Sequence, residues 1–497
     1  MTQPLPELQT ASSLPALENY IADQFSTPQI DRGGVVRNAN TREALQAQLA
    51  CSPEQVEEAL RAADRAYQKG DWEFTPPAER ADLLDRIADE LNDPALLESI
   101  AYADAVTTGV IIRTTRKMAQ LAPMIFRGAA HYLREGRLAQ KLPGPCGEVD
   151  YFRAPWGPAL LISPWNGPTA IGCHKIASAL AAGAPCVVKP SEWAPHSAVL
   201  VARAIAKVGL PQGTFQLTCG NRTIGAQMVG DPRIKAVSFT GGLGGGRAVA
   251  RACAENFVPI QLELGGNNQL VVLEDADLEK AAQGIVFGIT NLNAQWCRAL
   301  GRIIVHESQK TALIDRVLAL LAEINLGSSL SEASQMGPMV NQSQYELLHT
   351  EIDALVAKGG APLSTTRLPD LPGYFIAPTL IDGCSADDTR NEIFGPVASI
   401  LTYRTQAEAL HLANGTDLGL AGYVYGENLQ NANNFARRMR TGGVKINGYS
   451  LMSLANSAPR GAWELSGIGE EGHGQSIQFF TGARVVGVSP QDPIGGR

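Results

Sequence analysis

PALLISPWNGPTAIGCHKIASALAAGAPCVVKPSE, residues 158–192, decides the fold. Pro158 to Ser163 is a short apolar run, Thr169 to Ala182 carries helical spacing, and Pro185 to Val188 is a second short apolar run. Gly and Pro separate the three. The alternation continues downstream. Ser197 to Val208 reads as a helix, Thr214 to Thr218 as a strand, Thr223 to Val229 as a helix, Ala236 to Phe239 as a strand and Gly244 to Cys253 as a helix. Short strands alternating with helices predict a parallel sheet covered on both faces, a doubly wound α/β domain. Leu270 to Ser466 repeats that texture with other strands and helices and predicts a second α/β domain.

Upstream, Ser52-Pro53-Glu54-Gln55 carries a capping residue, Pro in the first turn and Gln three residues after the cap, which predicts a helix start. Further helices are expected from Pro77 to about Gly136, and the Pro- and Ser-spotted first 30 or so residues are expected to be irregular. Leu138 to Tyr151 is rich in Pro and Gly and then alternates, and Arg484 to Val488 is strand-like. Two surface hairpins or an oligomerisation arm both fit, because exposed strand edges find partners.

Composition narrows the function. The net charge is -8 and no stretch concentrates Lys and Arg, so nucleic acid is not an expected partner. Met1 to Phe25 contain acids and no long apolar core, so no secretory signal is expected, and the longest apolar runs fall short of a membrane span. The eight cysteines form no C-x-x-C pair, which reads as reduced thiols in the cytoplasm. The seven histidines are scattered, and no metal site is expected.

The chemistry concentrates in a few motifs. Asn293-Ala294-Gln295-Trp296-Cys297 puts a cysteine at the end of N-x-Q-x-C. Alone, Cys297 reads as a buried structural thiol. With Asn293 and Gln295 nearby it reads as a polar turn presenting a thiol to a cleft, where it can add to a carbonyl. Thirty-four residues earlier, Glu263 lies in Gln261-Leu262-Glu263-Leu264-Gly265-Gly266. It is either a solvent-facing strand residue or a packed carboxylate with a raised pKa, suited to activating water. Asn166, after Ser163, Pro164 and Trp165, is either a helix cap or an oxyanion donor together with the Cys297 N–H.

Val188-Lys189-Pro190-Ser191-Glu192 ends a strand, where α/β sheets bind ligands. Lys189 and Glu192 are either solvated charges or a pair fitting an adenosine ribose, with Glu192 repelling a 2′-phosphate. Thr240-Gly241-Gly242 opens a Gly-rich turn and a helix, a weak signal alone that fits a pyrophosphate.

These motifs, in this order, resemble the NAD(P)-dependent aldehyde dehydrogenases from about Arg37 to Val488. Gly373-Tyr374-Phe375, Glu392-Ile393-Phe394-Gly395-Pro396 and Ser466-Gly467-Ile468-Gly469 add to the resemblance. It implies Cys297 as nucleophile, Glu263 as base, Asn166 as oxyanion donor and Lys175 as an aid to proton movement. NAD would be held by Ser163, Pro164, Trp165, Lys189, Glu192, Thr240, Gly241, Gly242, Glu392 and Phe394. The resemblance further implies a cofactor domain (1–137 and 156–262), a catalytic domain (263–470) and a β arm with the C-terminal tail (138–155 and 471–497) joining homodimers or homotetramers.

The sequence departs from the family pattern in places. Asn267 stands where Lys is frequent, Gly242 where Ser is usual, and Ala294 where Gly is usual, a change expected to be tolerated. In the substrate funnel His174 and Arg460 replace aromatic residues, which suggests an aldehyde with a polar or acidic group; Trp296 and Trp463 are the other candidate substrate contacts. Against this, Arg460 could pair with an acid such as Glu464 and leave the tryptophans to bind an apolar aldehyde. Arg298 follows the nucleophile, and the pattern does not set its direction. CoA-dependent acyl transfer and a non-catalytic role are the alternatives on this fold; Glu263 argues against the first and the combined retention of Cys297, Glu263 and Asn166 against the second.

Overall fold

The computed structural model describes residues 13–489 apart from 452, 453 and 456. Ser52 caps the helix Pro53–Lys69 in a reciprocal capping box with Gln55, and Gly70 closes it in the left-handed conformation. Pro77–Leu91, Pro94–Thr108 and Ile112–Arg134 follow as helices. They pack with Pro168–Ala182 and His196–Val208 into one apolar core beneath the first sheet.

The five central strands of that sheet are parallel. Their spatial order is Phe215–Leu217, Cys186–Lys189, Ala159–Ile162, Ala236–Thr240 and Ile260–Glu263. In chain order that is third, second, first, fourth, fifth, the doubly wound arrangement expected from residues 158–192. The order reverses between Ala159–Ile162 and Ala236–Thr240, so a crevice opens beyond their carboxyl ends.

Two edge pieces differ from the sequence reading. Asn19–Ile21 and Gln24–Ser26 are strands, not irregular chain, and add antiparallel through Tyr20 opposite Leu217. Asn19 Oδ1 accepts the Cys219 N–H at 2.8 Å, fixing that edge. At the other edge, Gly467–Ile468 pairs antiparallel with Ile260–Glu263, so residues grouped by sequence with the catalytic domain join the cofactor sheet beside Glu263.

The second sheet runs Ala361–Leu363, Thr379–Asp382, Val397–Tyr403, Leu300–His306, Asn268–Val272, Gly422–Tyr425 and Val444–Ile446, parallel except at Ala361–Leu363. Thr481–Val486, Gly147–Pro155 and Ala139–Gly144 form a separate antiparallel sheet. It unites the two segments singled out as an arm, and Val485 and Val486 stay exposed on it. No helix among the described residues is long and apolar enough to cross a membrane.

Candidate active site

Cys297 sits on a turn that the backbone would not adopt unaided. Leu292, Asn293 and Ala294 have φ of 50°, 56° and 53°. Left-handed conformation costs a non-glycine residue roughly 1–2 kcal/mol, so the turn needs external bonds. Asn293 Nδ2 donates to the carbonyls of Gly109 (2.8 Å) and Pro338 (2.9 Å), and its Oδ1 accepts the Gly337 N–H at 2.8 Å. Gln295 Oε1 accepts the Val340 N–H at 3.0 Å. The N and Q of N-x-Q-x-C thus bolt the turn to residues 337–340. Ala294 occupies one of the strained positions, so its replacement of glycine carries a backbone cost.

The chain after the thiol is fixed too. Asn268 Nδ2 donates to the carbonyls of Cys297 (2.9 Å) and Ala299 (2.6 Å), while its Oδ1 accepts the Ala421 N–H. Tyr423 and Tyr449 hydroxyls both donate to the Arg298 carbonyl, at 3.0 and 2.7 Å. Burial pushes the Cys297 thiol up to about 12; Arg298 opposes that, while Glu263, Glu392 and Glu471 add to it. The thiol therefore needs a base to react near neutral pH.

Asn166 is not a helix cap. Gly167 holds that position, with no side-chain capping bond. Asn166 Nδ2 instead donates to the Gln295 carbonyl at 2.8 Å, which places the amide against the turn that carries Cys297.

Glu263 ends the strand Ile260–Glu263 opposite Thr240, and its backbone carbonyl accepts the Gly241 N–H at 3.1 Å. The base candidate and the Gly-rich turn are therefore strand neighbours. The side chain is 4% exposed, which excludes the solvent-facing alternative. Burial raises its pKa and Glu471 raises it further, against Arg298, Arg460 and Lys175. Lys175 is buried and donates to Ser238 Oγ at 2.6 Å; Ser238 donates to Gln261 Oε1, and Gln261 Nε2 to the Glu470 carbonyl. Burial lowers the Lys175 pKa, countered by Glu471 and Glu263.

Glu471 is the principal residue the sequence reading missed. Burial acts to raise its pKa, yet Lys175, Arg460 and Arg298 outweigh that and hold it below the usual range. Glu470-Glu471 looks like a surface acidic pair in sequence. Only the pairing of Arg460–Gly461 with Glu470–Glu471 carries it inward. Arg460 Nη2 lies 3.5 Å from Glu471 Oε2, so Arg460 pairs with Glu471 and not Glu464. Asn268 was also missed, although it directly follows the Gly265-Gly266-Asn267 run.

The funnel assignments change accordingly. His174 shares a hydrogen bond with Ser476 Oγ at 2.9 Å, and burial drives its pKa down to about 4. A neutral, engaged imidazole is no anchor for an acidic group. Trp463 is 52% exposed on a short strand beside Leu418–Gly419. Trp296 is buried and meets Tyr449 edge-on at 6.2 Å.

At the crevice, Ser163, Pro164 and Trp165 follow Ala159–Ile162, and Thr240, Gly241 and Gly242 close Ala236–Thr240. A Cβ on Gly241 or Gly245 would collide with the Phe239 ring, whereas Gly242 faces open space. Gly242 caps the helix Leu243–Ala254 with no side-chain bond, leaving its N–H groups for an incoming anion. Thr240 Oγ1 is buried without a hydrogen-bond partner among the described residues. Lys189 is buried, donates to the Pro190 carbonyl at 2.9 Å and lies 3.7 Å from Glu192 Oε2. Glu392 Oε1 accepts the Gly266 N–H at 2.8 Å, and burial lifts its pKa to about 7. Phe394 meets Trp165 edge-on at 5.6 Å. Asn267, at the position where Lys is frequent, donates to the Thr389 carbonyl.

A doubly wound sheet whose strands end at a Gly-rich turn and a helix start is the arrangement in which α/β proteins hold nucleotide cofactors. The chain belongs to the aldehyde dehydrogenase family, whose model matches residues 28–486, and it is an aldehyde dehydrogenase enzyme. It is 32% identical over 480 residues to geranial dehydrogenase of Castellaniella defragrans, covering 93% of this chain and 96% of that one. It is 33% identical over 467 residues to betaine aldehyde dehydrogenase of Cereibacter sphaeroides, covering 92% and 94%. Betaine aldehyde dehydrogenase of Staphylococcus aureus, solved with NAD+, superposes with a TM-score of 0.90 at 27% identity, covering 97% and 96%.

Proposed function

We propose that this enzyme oxidises an aldehyde to the carboxylic acid with NAD, through a thioester on Cys297 hydrolysed by water that Glu263 activates. The observation that carries the reading is the convergence of a strained, bolted thiol turn, the Asn166 amide and a buried carboxyl of raised pKa. Cys297 Sγ adds to the carbonyl carbon and its proton passes to Glu263. The resulting oxyanion accepts hydrogen bonds from Asn166 Nδ2 and the Cys297 N–H. NAD held by the Gly241-Gly242 turn, Lys189, Glu192 and Glu392 would supply the hydride acceptor, so that loss of hydride from this adduct leaves a thioester on Cys297. Glu263 releases the thiol's proton to solvent before the second half of the reaction; as the free carboxylate it takes a proton from water, the hydroxide attacks the acyl carbon, and the C–S bond breaks to release the acid and the Cys297 thiolate.

The residues present fit NAD. The partnerless Thr240 Oγ1, the open Gly242 and the uncapped helix suit a pyrophosphate, and Lys189 with Glu192 suits an adenosine ribose. Trp165, Glu392 and Phe394 would line the nicotinamide end, beside Ser163 and Pro164. A carboxylate at Glu192 repels a 2′-phosphate, and the next residues, Trp193, Ala194 and Pro195, bring no cation. NAD should therefore exceed NADP in kcat/KM by roughly tenfold or more, the scale of one unfavourable charge contact; a preference for NADP would refute the Glu192 assignment.

The cofactor domain would comprise 1–137 and 156–262, extended by Gly467–Ile468, and the catalytic domain the rest of 263–470. The sheet that joins Ala139–Gly144, Gly147–Pro155 and Thr481–Val486 would be the arm of a homodimer or homotetramer. Eight free cysteines fit the reducing cytoplasm. Incubation with NAD and a panel of aldehydes, without CoA, tests the reading: turnover supports it, and acyl transfer only when CoA is added contradicts it.

A further inference from the structure

The helix Pro168–Ala182 begins just after Asn166 and has no cap of its own, since Gly167 holds the N-cap position without a side-chain bond. The first turn of a helix leaves N–H groups without intrahelical partners and favours a negative charge beside it. Here that charge comes from a different helix. Asp104, on Pro94–Thr108, accepts a hydrogen bond from the hydroxyl of Thr169, the second residue of Pro168–Ala182, at 2.6 Å. Asp104 is 4% exposed and makes no ion pair among the described residues. Burial lifts its carboxyl up to about 6 and its contacts with Thr169 and Ser197 oppose the rise, so the group is ionised at neutral pH. A buried carboxylate without a counter-cation is costly unless donors and dipoles compensate it. Thr169 and the start of the helix behind Asn166 supply that compensation.

The helix that carries Asp104 also reaches the turn before Cys297. Pro94–Thr108 ends at Gly109, in left-handed conformation with φ of 78°, and the Gly109 carbonyl accepts Asn293 Nδ2 at 2.8 Å. A Cβ on Gly109 would overlap the Pro338 carbonyl, the other acceptor of Asn293, so this helix end is seated without slack. One rigid element therefore holds both halves of the site. Its Asp104 grips the helix behind Asn166, and its Gly109 grips the turn that presents the thiol.

We infer that Asp104 is a positioning residue for the oxyanion site: by clamping Thr169 and the helix Pro168–Ala182 to Pro94–Thr108, it fixes the Asn166 amide relative to Cys297. This rests on the reading of Asn166 as the oxyanion donor. Displacing such a donor by about 1 Å costs on the order of 10²-fold in rate, so a group that never touches the substrate has a kinetic effect.

The test reads the single-turnover rate constant for cofactor reduction, with NAD and the fastest of hexanal, benzaldehyde and 5-oxopentanoate. Partial misfolding lowers the amplitude of that signal and not its rate constant. Asp104→Asn removes the charge at nearly constant shape and should slow the step by about 10- to 100-fold with NAD affinity unchanged. Thr169→Val removes the hydroxyl and should slow it by about tenfold, while Thr169→Ser, which keeps the hydroxyl, should stay within about twofold of wild type. This pair decides the question if Asp104→Asn does not fold. Asn166→Ala should slow the step by about 10²- to 10³-fold. Adding Asp104→Asn to it should slow it no further, because a residue that acts through Asn166 then has nothing to position. Asp104→Asn or Thr169→Val at the wild-type rate overturns the inference and leaves the oxidation reading standing. So does a double variant slower than Asn166→Ala by the full Asp104→Asn factor, the result of a general structural role. An unchanged rate in Asn166→Ala removes the oxyanion assignment, and this inference falls with it.

Discussion

Cys297→Ser should retain NAD binding and lose aldehyde oxidation by roughly three orders of magnitude or more, the scale at which removing a covalent nucleophile acts. The turn's bolts, Asn293, Gln295 and Asn268, do not involve the Sγ, so the fold and the crevice should survive the change. A serine hydroxyl is a far weaker nucleophile than a thiol, and a base able to activate the thiol will not ionise it. Steady-state rates and calorimetric NAD binding check both halves. Near-normal turnover in the serine variant would remove Cys297 from the chemistry.

Glu263→Gln should lower steady-state turnover by about 10²- to 10⁴-fold, the range for loss of a positioned general base. A single-turnover burst of reduced cofactor should survive in part, because hydride departure precedes water attack. The same residue sets a pH dependence. Burial holds the Glu263 pKa above the usual carboxylate range, and only the deprotonated form accepts a proton. Turnover should therefore rise with pH through that raised pKa, and Glu263→Gln should remove this limb of the profile. The high pKa of the Cys297 thiol adds a further rise on the alkaline side. A wild-type profile flat from pH 6 to 9, or a glutamine variant with normal kcat, would contradict the base role.

Much of the first domain was legible because its signals are local. Ser52 with Gln55, Pro168 after Gly167, and Gly183 after Ala182 punctuate helices within a few residues of where they begin and end. Four of the five parallel strands were read from short apolar runs between those helices; the fifth, Ile260–Glu263, was not. The three-residue Asn19–Ile21, outside the strand–helix alternation, carries too little periodicity to announce itself. Asn19–Ile21 became a strand through Asn19 and Tyr20 contacts to residues 217–219, some 200 positions away.

The site divides along the same line. Cys297 and Glu263 stood out because they lie in dense local motifs. Glu471 did not, because an exposed-looking Glu470-Glu471 pair becomes buried only through its register with Arg460 and its charge neighbours Lys175 and Arg298. His174 misled for a related reason. Its helix position is near Asn166 in sequence, but Ser476 from the C-terminal helix His473–Phe479 occupies its ring nitrogen. Substitution of a funnel residue reveals what chemistry is available, and tertiary pairing decides whether that chemistry is already satisfied.

The central claim is a covalent acyl group on Cys297 awaiting Glu263-activated water. Rapid quenching of Glu263→Gln after mixing with NAD and a substrate aldehyde, followed by peptide mass analysis, tests it most directly. The account predicts an acyl mass on the peptide containing Cys297, in amounts matching the burst of reduced cofactor. Reduced cofactor formed with no acyl group on any cysteine, or with the group on a cysteine other than Cys297, would contradict it.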